Sequence, residues 1–280
     1  MKFTKMHGIG NDYIYINCFE ETVENPCDWS IRYSERHTGI GSDGLVLILP
    51  SQTADFRMRM FNADGSEAQM CGNAARCIGK YVFDKKLTQK TTLTLETPAG
   101  IRTLVLHLAN DKQSVETVTV DMDEPILESA KIPATFSENR IINKLVTFSD
   151  AIKYPVTCVS MGNPHAVIFT ENIEKLNLEH IGKIIENSTQ YFPQRINTEF
   201  VEKIDENRLK MRVWERGSGE TQSCGTGASA AVVAAVLNNI TQRKATVELL
   251  GGELSIEWRQ TDNHVYLTGT AEMVFEGEVR

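Results

Sequence analysis

Residues 225–237 are the stretch that most constrains the fold of this chain. They read GTGASAAVVAAVL, with a small or apolar residue at almost every position and no charge. If this stretch is a helix, it has no polar face, and a helix that is apolar on every side is buried on every side. A sheet wrapped around a central helix meets that requirement. The sequence therefore predicts an α+β fold built around this helix.

A second stretch opens in the same way. Cys71-Gly72 begins the run CGNAARCIGKYV, as Cys224-Gly225 begins the first run. The apolar residues of the earlier run recur at helical spacing and form one stripe: they are Ala74, Cys77, Ile78, Tyr81 and Val82. We therefore predict two α+β halves, each with several strands and one core helix that starts directly after a Cys-Gly junction.

Alternating or β-branched patterns predict strands in both halves. The stretches concerned are residues 2–17, 44–50, 55–62, 91–108, 115–122, 154–170, 195–205, 208–217 and 244–279. LLGGEL, within the last of these, is a hairpin signal. Further helices are predicted over residues 27–40, ending near Gly39, and around residues 174–187.

Charge and hydropathy patterning narrow the function classes. The formal net charge is −8, which disfavours nucleic-acid and anionic-membrane binding but not a local site for a small charged molecule. No window approaches the ~18 consecutive apolar residues of a membrane span, and no apolar signal-peptide core follows the first lysines. We therefore expect a cytoplasmic protein that acts on a small molecule, with no nucleic-acid or membrane partner.

The six cysteines are expected to be reduced in the cytoplasm. They are Cys18, Cys27, Cys71, Cys77, Cys158 and Cys224. None forms a C-x-x-C pair, so a zinc ribbon or a thioredoxin-type site is disfavoured and no metal site is predicted. The default interpretation of each is a small buried hydrophobic residue.

A formal G-x-G-x-x-G occurs in GIGSDG, residues 39–44. A dinucleotide site needs that motif between a strand and a following helix. Here a helix-like segment precedes the motif and a strand follows it. We therefore interpret these glycines as a turn.

The two Cys-Gly junctions have a chemistry that suits a ligand. A helix N-terminus presents unpaired N–H groups and partial positive charge, which favours a thiolate and binds a carboxylate. Glycines at 72, 225 and 227 allow a ligand to approach the backbone. The alternative is two unrelated buried cysteines in front of core helices. The polar flanks of both junctions favour the functional interpretation.

Those flanks carry a resemblance that covers nearly the whole chain. The stretches ADGSEAQMCGN and ERGSGETQSCGTG, with HGIGNDY and GNPH, closely resemble the diaminopimelate epimerases. Asn62 and Glu215 each precede their cysteine by nine residues. Proline racemases and hydroxyproline epimerases share the two Cys-Gly junctions but usually have histidine where this chain has Asn73.

The resemblance implies an isomerase that interconverts LL-2,6-diaminoheptanedioate and its meso form, a precursor of lysine and peptidoglycan, without pyridoxal phosphate, another cofactor or a metal. Inverting a stereocentre by proton transfer needs a base on one face of the carbon and an acid on the other. The resemblance assigns these roles to Cys71 and Cys224. The N–H groups at Gly72, Asn73, Gly225 and Thr226 would stabilise the charge that develops on the α-carboxylate.

The family pattern also implies the remaining site residues. Arg216 would clamp the distal carboxylate through its bidentate fork. His165 and Glu215 would assist catalysis. The matching substrate-binding amides are Asn11, Asn62, Asn163 and Asn197, each with the alternative of an amide satisfied by its own loop. Gly44 departs from members that have glutamine there, so one side-chain contact to substrate would be absent or replaced by backbone.

The family ending predicts that the final strand, residues 265–275, returns to the first domain. We thus expect two pseudo-symmetric domains, residues 1–115 with 266–280 and residues 116–265, with the active site in the cleft between them. Phe275 falls where the family tends to place an aromatic residue at a dimer contact, so a homodimer is expected. Two alternatives remain: a racemase of proline or another small amino acid, and a non-catalytic amino-acid-binding or thiol-redox protein. Arg216 and the four asparagines disfavour both, because they suit a ligand with a second polar end.

Overall fold

The computed structural model describes residues 1–279, which form four α-helices and eighteen β-strands. These residues divide into two compact units. The first comprises Met1–Asp121 together with the chain from Thr268 onward, and the second comprises Met122–Leu267. Each unit contains strands of a mixed sheet and two of the helices.

The elements are numbered in chain order. The first ten are β1 (Lys2–Gly8), β2 (Asn11–Asn17), α1 (Pro26–Ser34), β3 (Gly44–Leu49), β4 (Phe56–Asn62), β5 (Glu67–Ala68), α2 (Gly72–Asp84), β6 (Thr92–Thr97), β7 (Gly100–Leu108) and β8 (Val115–Asp121). They are followed by β9 (Lys144–Thr147), β10 (Lys153–Ser160), β11 (Pro164–Phe169), α3 (Leu178–Glu186), β12 (Asn197–Asp205), β13 (Arg208–Glu215), β14 (Gly219–Glu220), α4 (Gly225–Leu237), β15 (Lys244–Leu249), β16 (Gly252–Trp258), β17 (Val265–Thr270) and β18 (Glu272–Glu278).

The strand pairing of the first unit recurs in the second. In the first unit β1 pairs antiparallel with β2, β2 parallel with β3, β3 antiparallel with β4, and β4 parallel with β6. In the second unit β10, β11, β12, β13 and β15 follow the same antiparallel, parallel, antiparallel, parallel order. The helices recur as well, because α2 precedes β6 and α4 precedes β15. The prediction of two similar α+β halves is confirmed.

The helix α4 is the buried centre of the second unit. Every residue from Gly227 to Ala235 is buried, and the helix packs against β10, β11, β12, β15 and β16. Its alanines and valines are small enough for strands to contact it on several sides. In the first unit α2 packs in the same manner against β1, β7 and β8. Both central helices therefore begin where the sequence predicted them.

The first helix is shorter than predicted. It ends at Ser34 rather than near Gly39, because Glu35 is extended and the chain then turns back on the helix. The N–H groups of Ile40 and Gly41 donate to Tyr33 O. These bonds satisfy a terminal carbonyl in place of a continued helix. Gly39 and Gly41 of GIGSDG accordingly lie in the loop between α1 and β3, and Gly44 is the first residue of β3.

Two other boundaries differ from the sequence prediction. The helix expected around residues 174–187 is a 3-10 turn at Ile173–Lys175 followed by α3, because Asn177 Oδ1 accepts from His180 N–H and starts a new helix. The final strand is divided at Ala271 into β17 and β18. The second of these pairs antiparallel with β1, within the first unit.

Residues 1–279 contain no helix that is long and apolar enough to cross a membrane. The same residues contain no cluster of three or more histidine, cysteine, aspartate or glutamate side chains able to hold a metal ion.

Candidate active site

Both cysteines singled out by sequence are the N-cap residues of their helices. Cys71 precedes α2 and Cys224 precedes α4, each with an extended backbone. The sulfur of Cys224 accepts a hydrogen bond from Gly227 N–H at 3.3 Å. The first residues of the helices, Gly72 and Gly225 among them, have the unpaired N–H groups of a helix start. Each unit therefore contains one thiol beside a helix N-terminus.

Asn11 is the polar neighbour of Cys71. Cys71 Sγ donates to Asn11 Oδ1 at 3.6 Å, and Asn73 Nδ2 donates to the same oxygen at 3.1 Å. The other end of this amide, Asn11 Nδ2, donates to Asp43 Oδ2 at 2.8 Å. Asp43 thereby orients Asn11 with its oxygen toward Cys71. The sequence analysis missed Asp43, although it lies within the stretch GIGSDG.

Asp43 belongs to a cluster of charged side chains. Arg36 donates to Asp12 at 2.8 Å and to Asp43 at 2.9 Å, and Lys5 pairs with Asp12. Burial opposes ionisation of Asp12, but the hydrogen bonds from Arg36 and Lys5 outweigh it and lower its pKa. Burial and the neighbouring Asp12 raise the pKa of Asp43. The positive charges of Arg36 and Lys5 offset the negative charges of the two carboxylates.

Gly44 and Asn62 are paired residues of neighbouring strands. A Cβ on Gly44 would lie 2.0 Å from Phe61 O, so this backbone accepts no side chain there. With this backbone, a glutamine at position 44 would clash with Phe61 O. The amide of Asn62 donates to Ser66 Oγ at 3.0 Å, within its own turn.

Glu215 lies beside Cys224 at the end of β13. Burial raises the pKa of Glu215, against opposing hydrogen bonds from Thr221 and Cys224. Burial, and then the charges of Glu215 and Glu199, raise the pKa of Cys224 well above its ordinary value. The expectation that a helix N-terminus favours the thiolate is therefore wrong for Cys224, because desolvation and two carboxylates outweigh the helix end.

His165 is fully buried against a carboxylate that the sequence analysis missed. His165 Nδ1 lies 2.7 Å from Glu199 Oε1, and both side chains are 0% exposed. On its other side, His165 Nε2 lies 3.0 Å from Asn163 Oδ1. Asn163 Nδ2 in turn donates to Thr226 Oγ1 at 3.2 Å. The only signal for Glu199 in the sequence was an acidic residue within a predicted strand.

Arg216 and Asn197 are joined through the backbone. Asn197 Oδ1 accepts from Arg216 N–H at 3.0 Å, and Asn197 Nδ2 donates to Pro164 O at 2.9 Å. Arg216 Nη1 donates to Gln194 O at 3.0 Å. Asn197 thus ties β11 to the turn after β13 through both ends of its amide.

The structure brings together most of the predicted residues within each unit. In the first unit Cys71, Asn11 and Asn73 are in contact, whereas Asn62 bonds within its own turn. In the second unit one network joins Cys224, Thr226, Asn163 and His165. Glu215 is close enough to raise the pKa of Cys224. The site residues thus form two clusters, each at one helix start.

The chain is similar to known proteins over its full length. The sequence profile described as diaminopimelate epimerase matches residues 3–128 and 157–274. A diaminopimelate epimerase from Acetivibrio thermocellus is 59% identical over 279 residues, covering 100% of this chain and 98% of the relative.

Two solved structures show the same fold at low sequence identity. A phenazine biosynthesis protein of the PhzF family from Bacillus anthracis has a TM-score of 0.70 and 18% identity, covering 100% of this chain and 99% of its own. A hydroxyproline epimerase from Agrobacterium vitis has a TM-score of 0.70 and 13% identity, covering 100% of this chain and 90% of its own. The full-length identity to the Acetivibrio enzyme is far higher, and this chain belongs to the diaminopimelate epimerase family.

Proposed function

We propose that this enzyme epimerises LL-2,6-diaminoheptanedioate to the meso form by a two-cysteine acid–base reaction. The observation that carries the proposal is the recurrence of one arrangement, a cysteine at the N-cap of a central helix, in both units. A reaction that inverts a carbon by proton transfer requires two such groups, one for each face. A single reactive thiol would not require this repetition.

In the proposed reaction one sulfur, as thiolate, removes the α-proton and becomes a thiol. The other sulfur, as thiol, donates its proton to the opposite face and becomes a thiolate. The electron pair of the broken C–H bond resides on the α-carbon and carboxylate between these two events. N–H groups at the starts of α2 and α4 stabilise that negative charge. The reverse reaction exchanges the two roles.

The surroundings of Cys224 support its role as the acid in the resting enzyme. Burial and the neighbouring Glu215 and Glu199 raise its pKa, so the thiol form persists at neutral pH. A thiol is the form that can donate a proton. Cys71 is then the base for the isomer whose α-proton faces it.

Arg216 is proposed to bind the distal carboxylate, with Asn11, Asn62, Asn163 and Asn197 around the substrate. A guanidinium has five N–H donors in a rigid fork, and Gln194 O accepts from one of them. This combination of one arginine and four asparagines favours a substrate with two charged ends. A proline racemase would not need residues that bind a second charged end of the substrate.

The deciding experiment is incubation with LL-diaminopimelate in heavy water, with no added cofactor. Entry of one deuterium at an α-position, together with formation of the meso isomer, supports the proposal. Proline is incubated in parallel. Exchange into proline alone would identify a racemase, and exchange into neither amino acid would contradict both activities.

We also propose a cytoplasmic homodimer. All six cysteines are free thiols, which suits a reducing compartment. Phe275 on β18 is 47% exposed, and beside it Val274 is 55% exposed. An apolar pair on the outside of a strand suits contact with a second copy of the chain. Sedimentation equilibrium tests this, and a monomer at micromolar concentration would contradict it.

A further inference from the structure

A continuous series of hydrogen bonds runs from a buried carboxylate to the sulfur of Cys224. It joins Glu199 to His165 at 2.7 Å, His165 to Asn163 at 3.0 Å, Asn163 to Thr226 at 3.2 Å, and Thr226 Oγ1 to Cys224 Sγ at 3.4 Å. We call these five residues the Glu199 relay. All of them lie in the second unit: Asn163 in the turn directly before β11, His165 at the start of β11, Glu199 on β12, and Cys224 and Thr226 at the start of α4.

The direction of donation along the relay follows from its members. Asn163 donates through Nδ2 to Thr226, so its oxygen faces His165 and must accept from His165 Nε2–H. With Nε2 protonated, the 2.7 Å contact between His165 Nδ1 and Glu199 Oε1 needs one more proton. The buried pair therefore holds that proton, as imidazolium and carboxylate or as imidazole and carboxylic acid.

The far end of the relay presents a donor to the catalytic sulfur. Thr226 Oγ1 accepts from Asn163, which leaves its single hydroxyl proton available for Cys224 Sγ. Gly227 N–H is a second donor to the same sulfur, at 3.3 Å. Two donors stabilise the sulfur at the moment when it has lost its proton and become negative.

The carboxylate is also placed against the helix start itself. A Cβ on Gly227 would lie 2.7 Å from Glu199 Oε1, so the absence of a side chain at this position lets Glu199 approach. Among residues 1–279 no protein donor reaches the other carboxylate oxygen, Oε2. Among the described residues, the carboxylate of Glu199 therefore has one hydrogen bond, to His165.

We infer that Glu199 is a positioning residue of this enzyme, which holds the imidazole of His165 with its Nε2–H toward Asn163 and thereby directs the hydroxyl of Thr226 at Cys224. This inference rests on the proposed function, because it gives the relay the task of stabilising Cys224 after it donates a proton. Glu199 itself has no role in binding substrate. Its contribution falls on the chemical step, kcat, more than on KM.

Two variants separate the hydrogen bond from the charge. In Glu199→Gln the side-chain amide can donate to His165 Nδ1 and keep Nε2–H directed at Asn163. In Glu199→Leu the imidazole loses its partner at Nδ1 and is held only through Asn163 Oδ1, so its orientation is less restricted. We expect kcat of Glu199→Gln within about threefold of the wild type, because the hydrogen bond is kept. We expect kcat of Glu199→Leu to fall by at least about tenfold with a smaller change in KM.

Glu202→Leu is the control on the same strand, because Glu202 is joined to Ile173 N–H and lies outside the relay. Its kcat should match the wild type. Wild-type kcat in Glu199→Leu would overturn the inference. Equal losses in Glu199→Gln and Glu199→Leu would also overturn it, because they would assign the effect to the charge of Glu199 rather than to orientation.

The imidazole nitrogens of His165 provide a readout that needs no activity. Nitrogen-15 NMR, assigned by comparison with His165→Gln, should show Nε2 protonated in the wild type and in Glu199→Gln. An unprotonated Nε2 in the wild type would overturn the inference even if Glu199→Leu fails to fold. The protonation of Nε2 is measured without substrate. Failure of the proposed function is therefore recognised separately, as a wild-type enzyme that is inactive on diaminopimelate.

Discussion

Glu186 Oε1 accepts a hydrogen bond from the backbone N–H of Gly217 at 2.9 Å. Glu186 Oε2 accepts from Trp214 Nε1 at 2.7 Å, so one buried carboxylate bonds to the residues on either side of Glu215 and Arg216. Arg195 donates to Oε1 as well, at 2.9 Å. The position of the proposed substrate clamp therefore depends on a side chain at the end of α3.

Replacing Glu186 by glutamine should destabilise the protein and displace this turn. The amide has one acceptor oxygen, so a buried N–H loses its partner at a cost of about 1–3 kcal/mol. We expect a lower free energy of unfolding in urea and a higher KM for diaminopimelate. Glu179→Gln is the matched control on α3, since its pair with Lys183 is exposed and contributes little to stability. Equal stability of the two variants would contradict the assignment to Glu186.

Replacing either proposed catalytic cysteine by alanine should abolish epimerisation. Neither sulfur can replace the other, because each serves one face of the carbon. Turnover of LL-diaminopimelate is measured by formation of the meso isomer. Cys27→Ala is the control, since this cysteine is exposed and lies on α1. Substantial turnover in Cys71→Ala or Cys224→Ala would refute the two-base reaction.

Arg216→Lys should weaken the use of diaminopimelate although the charge is retained. A lysine cannot reproduce the bidentate fork, and a hydrogen bond to a charged group contributes about 1.5–3 kcal/mol, or about 10- to 100-fold in kcat/KM. Steady-state kinetics measure this loss. Arg208→Lys, in an exposed ion-pair cluster with Glu248 and Glu253, should leave kcat/KM unchanged. An Arg216→Lys enzyme with wild-type kcat/KM would exclude the clamp.

A side chain at Gly44 should destabilise the fold more than one at Gly100. Both glycines have positive φ, of 157° and 104°. A Cβ on Gly44 meets Phe61 O at 2.0 Å, whereas a Cβ on Gly100 meets nothing within 4 Å. Gly100→Ala should therefore lower the free energy of unfolding by about 1–2 kcal/mol, through backbone strain alone. Gly44→Ala should lower it by about 1–3 kcal/mol more, because the added methyl group is also overpacked. Urea unfolding compares them, and equal losses would mean that the backbone at Gly44 relaxes freely.

Alkylation of the native protein should reach the exposed Cys27 well before the buried thiols. Burial raises the pKa of Cys77 and of Cys158 to about 12, and that of Cys18 to about 11. A raised pKa means that the reactive thiolate is scarce at neutral pH and increases only as pH rises toward that value. Peptide mapping after iodoacetamide at pH 7 and pH 9 measures the order. Early labelling of Cys77 or Cys158 would contradict their burial.

Sequence patterns predicted the two central helices because their signals are local. The run from Gly225 to Leu237 has no polar face, so its burial follows from the residues themselves. The Cys-Gly junctions were recognisable for the same reason, since a helix start is defined within a few residues. The end of α1 was predicted five residues too late, because the bonds from Ile40 and Gly41 to Tyr33 that replace a continued helix depend on the path of the following loop.

The side chains that orient the site were decided by tertiary structure. Asp43, Glu186 and Glu199 contact residues at positions 11, 217 and 165, which strand register and packing bring near them. The protonation state of Cys224 depends on the same packing. A helix N-terminus by itself lowers the pKa of a thiol, but burial with two carboxylates raises it. Desolvation and through-space charge depend on which atoms surround the sulfur in three dimensions, and no pattern along the chain contains that information.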